Sequence, residues 1–327
     1  MTITPDSPNN TPATVLVLGA NGRLGAAAVQ AFARAGWQVV AQARQPAREP
    51  LPAGVQWLQA DVLDHAAIVR AVPRAALIVH AVNPHYARWA TLLPPITDSV
   101  IAIARATGAT VMLPGNVYNF GRALPPVLTE STPFVANTEK AAQRIALEEA
   151  LAGSGVRSIV IRAGDFLGER GTWMDLAIAR SVPRGRVSYP GPVDLPHAWA
   201  WLPDLAEVFV RVAAQRAQLP PHASLHYAGL TLTGTELMDA IDAAVGRRLQ
   251  RRPFAWWQWQ LVAPVMPIVR AVLGMRYLWQ RPHRLDDSRL RALIGPPPQT
   301  PLAEVVAGSL AAAGVQNLSS QRRLATV

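Results

Sequence analysis

Thr14-Val-Leu-Val-Leu-Gly-Ala-Asn-Gly-Arg-Leu-Gly25 decides how this chain is read. Val15 to Leu18 form a short aliphatic run of the kind buried in a parallel sheet. Gly19, Gly22 and Gly25 follow at three-residue spacing, and Ala26 to Ala35 supply good helix formers. Glycine serves where a backbone turns tightly, where it approaches a pyrophosphate, and where a helix packs close on a strand. The helix N-terminus adds unpaired N–H groups and the positive end of a dipole. A glycine pattern alone is weak evidence. Here it lies between a strand and a helix, and a second strand-like run, Gln38 to Ala43, follows where a βαβ unit requires it. The segment reads as a dinucleotide-binding turn.

Working outward, strands are expected near 14–18, 38–43, 55–59, 76–80, 109–113 and 157–161. Helices are expected near 24–35, 64–71, 95–107 and 137–152, the last stopped by Gly153-Ser-Gly155. The alternation predicts an α/β fold, a Rossmann-like doubly wound parallel sheet with ligand at the carboxyl ends of its strands. After Arg162 the pattern breaks up, and Pro-, Trp- and Arg-rich stretches predict a smaller C-terminal substrate-binding cap. The expected division is a dinucleotide-binding domain over 13–165, with 198–230 returning to it, and a cap over 166–197 and 231–314. Residues 1–12 and 315–327 are expected to be disordered tails. Thr233 and Glu236 have the spacing of a capping box.

The chain has 327 residues, half of them hydrophobic, which is ample for a sizeable core. It contains no cysteine, so disulfides and thiolate metal sites are excluded, and no metal site is expected. No signal-peptide pattern opens it, and a cytoplasmic location is the expectation. The net charge of +10 is concentrated in late arginines, Arg247 to Arg291. Without zinc-ligand spacing or an aromatic–basic motif this reads as a solvated surface, not a nucleic-acid site. The apolar run Phe254 to Arg270 is broken by Gln258, Gln260, Pro264 and Pro267, so it does not suit a membrane span. Lid or dimer packing is expected of it, with an interfacial helix through Trp256, Trp257 and Trp259 as the alternative. The partners expected are therefore a small-molecule substrate and a second copy in a homodimer, with neither nucleic acid nor membrane.

Several further segments stand in a telling order: Ala60-Asp-Val62, Val79-His-Ala-Val-Asn83, Asn116 to Gly121, Lys140, Arg162-Ala-Gly-Asp165, Trp201-Leu-Pro-Asp-Leu-Ala206 and Leu285 to Gly295. With the glycine turn they make the chain resemble the extended short-chain dehydrogenase/reductases, the NAD-dependent epimerase/dehydratase group, over about residues 13–313. The resemblance implies cofactor contacts from Gly19, Asn21, Gly22, Arg23, Leu24 and Gly25. It adds Asp61 and Val62 at the adenine, Ala81, Val82 and Asn83 at the ribose and diphosphate, and Lys140 at the nicotinamide ribose. Arg44 ends the second strand where an acidic residue would hold the 2′-hydroxyl of NAD. An arginine there favours a 2′-phosphate, with Arg23 assisting, so NADP(H) is expected over NAD(H).

The family's chemistry depends on a tyrosine four residues before the lysine, and this chain has Ala136 there. Asn116 falls where a catalytic serine or threonine is expected, and it can orient a carbonyl but cannot supply a proton. Three readings stay open. Tyr118 shares the side of Asn116 if that segment is extended; Tyr86, with His85 as another candidate, enters from the loop after the fourth strand; or no acid exists. Trp89, Phe166 and Trp173 are candidate pocket walls, and Asp165 a polar contact. Asp204 is expected to cap a helix starting near Leu205. The resulting expectation is NADP(H)-dependent hydride transfer on a small carbonyl or sugar-like substrate, through Lys140, Asn116 and Tyr118 or Tyr86. The alternative is a non-catalytic nucleotide sensor resembling the NmrA-like regulators.

Overall fold

A computed structural model describes residues 12–315. The expected tails, 1–12 and 315–327, lie outside the described residues apart from residues 12 and 315. In chain order the strands are β1 (Thr14–Leu18), β2 (Gln38–Ala43), β3 (Gln56–Gln59), β4 (Leu77–His80), β5 (Thr110–Gly115), β6 (Val127–Leu128), β7 (Ser158–Arg162), β8 (Asp165–Leu167), β9 (Arg186–Tyr189), β10 (His197–Trp201), β11 (His222–His226), β12 (Leu230–Leu232), β13 (Gln250–Pro253) and β14 (Arg284–Leu285). The helices are α1 (Arg23–Arg34), α2 (His65–Ala71), α3 (Trp89–Thr107), α4 (Glu139–Gly153), α5 (Leu202–Ala214), α6 (Gly234–Val245), α7 (Trp256–Val262), α8 (Pro267–Leu273), α9 (Ser288–Ile294) and α10 (Leu302–Ala312).

Seven strands form one parallel sheet in the order β11-β7-β5-β4-β1-β2-β3. Alternate side chains of each strand serve opposite faces. Leu16, Leu18, Ile78, Leu113 and Val160 pack with Val100 and Ile103 of α3 and Leu147 of α4. Val15, Val17, Val79 and Ile161 pack with Phe32 of α1 and Phe209 of α5. Both faces are thus covered, and this is why the strands read as continuous aliphatic runs. The strand order reverses between β1 and β4, which opens a crevice at their carboxyl ends.

A three-stranded sheet, β12-β10-β8, and the pair β13-β9 lie beyond this sheet. They share a core built on Trp199, Trp256, Trp279, Leu237 and Ile241. Thr233 caps α6 in a reciprocal capping box with Glu236. Helix α3 begins at Trp89, six residues before the expected start, because Pro94 and Pro95 are accommodated inside it and do not begin it. Asp204 does not cap a helix. It lies in the first turn of α5, where its carboxylate accepts from the backbone N–H and hydroxyl of Thr300 at 2.8 and 2.7 Å. The apolar run 254–270 folds into α7 and α8. Trp256 is buried, its Nε1 donating to the Pro190 carbonyl at 2.6 Å, whereas Trp257 stays exposed.

Candidate nucleotide-binding cleft

The crevice is a cleft of about 600 Å³ with the glycine turn on its wall, within the size range usual for ligand sites. Gly19 has φ +81, and a Cβ there would stand 2.9 Å from the backbone of Ala81 and Val82. The turn after β1 can therefore press against the segment after β4 only as glycine. A Cβ on Gly25 would collide with the Gly19 carbonyl, so the third glycine is what lets α1 start beneath the turn. Gly22 caps α1 without a side chain, and the first turn carries no acidic residue. The helix thus presents uncapped N–H groups to the cleft, a fitting seat for a diphosphate.

Gln42, nearly fully buried at the end of β2, ties the turn down. Its carbonyl accepts from the N–H groups of Gly19 and Ala20 at 3.0 and 2.9 Å, and its Nε2 donates to the Ala60 carbonyl at 2.6 Å. Asn21 donates to the carbonyls of Pro46 and Gln45 at 2.9 and 3.3 Å and accepts from the Arg48 N–H at 3.2 Å. It closes the loop after β2, which leaves Arg44 and Arg48 on the cleft wall. Arg23 is on the cleft wall as well. Its Nη1 donates to the Gly171 carbonyl at 2.6 Å and the Arg170 carbonyl at 3.4 Å, strapping the turn to the segment opposite. Leu24, Val62, Ala81, Val82 and Asn83 line the cleft. Asp61 does not; it is exposed, and its Oδ1 accepts from the Leu63 N–H at 3.0 Å in a local turn.

Toward the other end, Tyr86 and Tyr118 meet hydroxyl to hydroxyl at 3.1 Å. They arrive from two short 3₁₀ turns, Tyr86–Arg88 and Val117–Phe120. The segment holding Tyr118 is therefore not extended. Asn116 starts that turn, its Oδ1 accepting from the Tyr118 N–H at 3.0 Å. Trp89 lies with its ring centroid 4.7 Å from Tyr86 and 6.3 Å from Tyr118, anchored by Nε1 donating to the Pro84 carbonyl at 2.9 Å. Burial raises the pKa of Tyr86 above its ordinary value. It raises that of Tyr118 well above, helped by the Tyr86 and Asp165 charges. Both phenols therefore stay protonated at neutral pH.

Lys140 does not reach the cleft wall. Its Nζ donates to the Tyr86 carbonyl at 2.7 Å and to Gln143 Oε1 at 3.0 Å, beside a separate recess of about 310 Å³. Burial lowers its pKa, with Glu139 acting in the opposite direction. One turn further along α4, Arg144 is on the cleft wall, donating to the Pro114 carbonyl at 2.6 Å. Ala136 is exposed and precedes the α4 cap Thr138. His85 is also exposed and outside the cleft lining. Phe166, Trp173, Leu176, Trp259, Val272 and Met275 form the apolar side. Asp165 stands among them, its Oδ2 2.8 Å from His197 Nε2.

Residues 19–186 match the sequence profile of a family described as NAD(P)H-binding, which is half of the chain. The chain belongs to that NAD(P)H-binding family. No curated protein matches it. Its fold is shared with UDP-glucose 4-epimerase from Brucella ovis in complex with NAD, at TM-score 0.73 and 16% identity over 93% of this chain and 98% of that one. It is shared also with the enzyme WbmH of Bordetella bronchiseptica in complex with NAD+, at TM-score 0.72 and 17% identity over 94% and 99%. A third is UDP-glucose 4-epimerase from Bifidobacterium longum in complex with NAD+ and UDP, at TM-score 0.69 and 14% identity over 93% and 99%.

Polar residues of the cleft that the sequence did not single out include Gln42, His80 and Arg144, and behind the lining His197 is bonded to Asp165. His80 had a signal, since it precedes Ala81 at the end of β4. It is buried with neither ring nitrogen hydrogen-bonded, and burial followed by the Arg144 charge lowers its pKa to about 3. Arg144 is four residues from Lys140, on the same helix face. His197 had none, because its partner Asp165 is 32 residues away in sequence. Among the described residues no group of three or more His, Asp or Glu is placed to hold a metal ion, and no helix is long and apolar enough to cross a membrane.

Proposed function

We propose that the protein is an NADP(H)-dependent oxidoreductase of the extended short-chain dehydrogenase/reductase type. It reduces a small carbonyl or sugar-like compound less polar than a nucleotide sugar. The observation that carries this reading is the Tyr86–Tyr118 hydroxyl pair, 3.1 Å apart on the wall of the cleft that also holds the glycine turn.

In this reading residues 13–165 and 198–230 hold the nucleotide, and 166–197 with 231–314 cover the substrate. Gly19, Gly22, Leu24 and Gly25 seat the diphosphate, Val62 and Ala81 to Asn83 flank the adenosine, and Arg44 selects the 2′-phosphate. The nicotinamide supplies a hydride when the cofactor is bound. Tyr118 or Tyr86 hydrogen-bonds the substrate oxygen and gives up the proton, and the second tyrosine holds the first in place. Lys140 acts through the Tyr86 backbone, and Asn116 through the turn that carries Tyr118. Phe166, Trp89 and the tryptophans of the cap exclude water and favour an apolar substrate body. Tyrosines held protonated suit reduction, where a proton is delivered, better than alcohol oxidation, where one must be accepted.

The test is turnover of NADPH by the purified protein with a panel of aliphatic, aromatic and sugar-like aldehydes and ketones. Reduction of at least one class is expected, and loss of both binding and turnover in Gly25→Ala. Tight NADPH binding with no turnover across the panel would overturn the enzyme reading in favour of a nucleotide sensor.

A further inference from the structure

The hairpin α7–α8 exposes Trp257 (61%), Leu261 (71%), Val262 (39%), Val265 (79%) and Met266 (44%) within ten residues. These are five of the eleven large hydrophobic side chains exposed among the described residues, so the apolar surface is concentrated at one tip. Such a patch marks a contact surface. From residue 243 to 285 the chain carries eight arginines (Arg247, Arg248, Arg251, Arg252, Arg270, Arg276, Arg281 and Arg284) and no Asp or Glu. Arg251 is paired with Asp239 and Asp242, and Arg276 lies against the Trp256 ring. Arg248, Arg252, Arg270 and Arg281 are exposed.

We propose that this hairpin docks the protein on an anionic lipid bilayer, the apolar tip entering at headgroup depth and the flanking arginines meeting lipid phosphates. An apolar tip in an acid-free, arginine-rich segment has the composition of an interfacial anchor. Each helix has seven residues, roughly 10 Å of length, so the hairpin can lie in the interface but not cross it. The two-fold alternative, a second copy of the chain, is disfavoured by the same charges. An isologous contact would set the arginine-rich surround of one copy against that of the other. Five side chains also offer less than the roughly 800 Å² per partner of a stable interface. The hairpin also gives Trp259 and Val272 to the cleft wall, with Met275 just beyond its end. Docking would therefore bring the cleft mouth to the bilayer, where an apolar substrate is concentrated.

Co-sedimentation of the full chain with sucrose-loaded vesicles tests this. Binding is expected to phosphatidylcholine–phosphatidylglycerol vesicles and to be at least about tenfold weaker to phosphatidylcholine alone. The double variant Leu261→Ser, Val265→Ser removes exposed apolar anchors and should weaken binding at least about tenfold with an unchanged melting temperature. Arg252→Gln with Arg270→Gln should reduce the preference for anionic vesicles. Failure to sediment with anionic vesicles, equal binding by the Leu261/Val265 variant, or a concentration-dependent dimer abolished by that variant would each overturn the proposal.

Discussion

Tyr86 and Tyr118 supply the sharpest test of the proposed chemistry, because one hydrogen bond links stability to turnover. Replacing either by phenylalanine removes the 3.1 Å contact and leaves the other hydroxyl in a buried site without its partner. A lost hydrogen bond with an unpaired survivor costs about 1–2 kcal/mol. In the double variant no unpaired hydroxyl remains, so its cost should fall short of the sum of the singles, giving a coupling on the order of 1 kcal/mol. Urea unfolding of the four proteins measures this. In turnover the tyrosine that meets the substrate oxygen should be worth about 10²–10⁴-fold in kcat. The one that only holds its neighbour should be worth about fivefold, the rate equivalent of roughly 1 kcal/mol. Burial raises both phenols above the ordinary value of 10.0. The reductive rate should then be flat through neutral pH and fall only above about pH 10, where folding stability too begins to be lost. If neither single variant lowers kcat by at least about tenfold, or if the reductive rate titrates near neutrality, these phenols are not the acid.

The remaining expectations concern the cofactor and the buried histidines. Arg44→Ala should weaken NADPH binding about tenfold, as loss of one charge-assisted contact does, while leaving NADH binding unchanged in fluorescence titrations; equal loss for both nucleotides would refute the 2′-phosphate role. Burial holds His80 and His283 down to about 3 and His226 to about 4. The unfolded chain binds protons at these sites first, so stability is full above the ordinary histidine value of 6.5 and declines as pH falls toward 4 to 3. By pH 5 each site should have given up roughly 2 kcal/mol. Denaturant midpoints measured from pH 7 to 5 should therefore drop steeply, and a flat profile would contradict the buried neutral state.

What was legible in the sequence follows from what is local. β1, β2, β4 and β7 are aliphatic runs because both faces of the sheet are covered, and their bounds fall within a residue or so of the expected ones. The glycine turn is legible because a close approach of two backbones admits no side chain. The three-stranded sheet was not. Ala198-Trp-Ala-Trp201 gains its strand character from pairing with Asp165 to Leu167, more than thirty residues earlier. Asp165 and His197 are likewise joined only by that pairing. The start of α3 was obscured by Pro94 and Pro95, and with it the turn that delivers Tyr86 and Trp89 to the cleft.

The absence of a hydroxyl at position 136 is more than one changed residue. Val135 N–H donates to the Asn119 carbonyl at 2.7 Å, and Asn137 Oδ1 accepts from the Arg122 N–H at 2.9 Å. Gly121, at φ +67, has no room for a Cβ against Asn137. These bonds hold the chain before α4 against the segment after β5, with Ala136 exposed. A tyrosine introduced at 136 would accordingly point away from the cleft unless that whole contact were rebuilt. Lys140 is correspondingly turned, its ammonium on the Tyr86 carbonyl. Removing the ammonium in Lys140→Met would release the very turn that sets Tyr86 against Tyr118. The proposed acid and the lysine are thus coupled through backbone rather than through side-chain contact in the cleft. On that account Lys140→Arg, which retains a donor, should preserve more activity than Lys140→Met, and the pH profile should keep its shape in both.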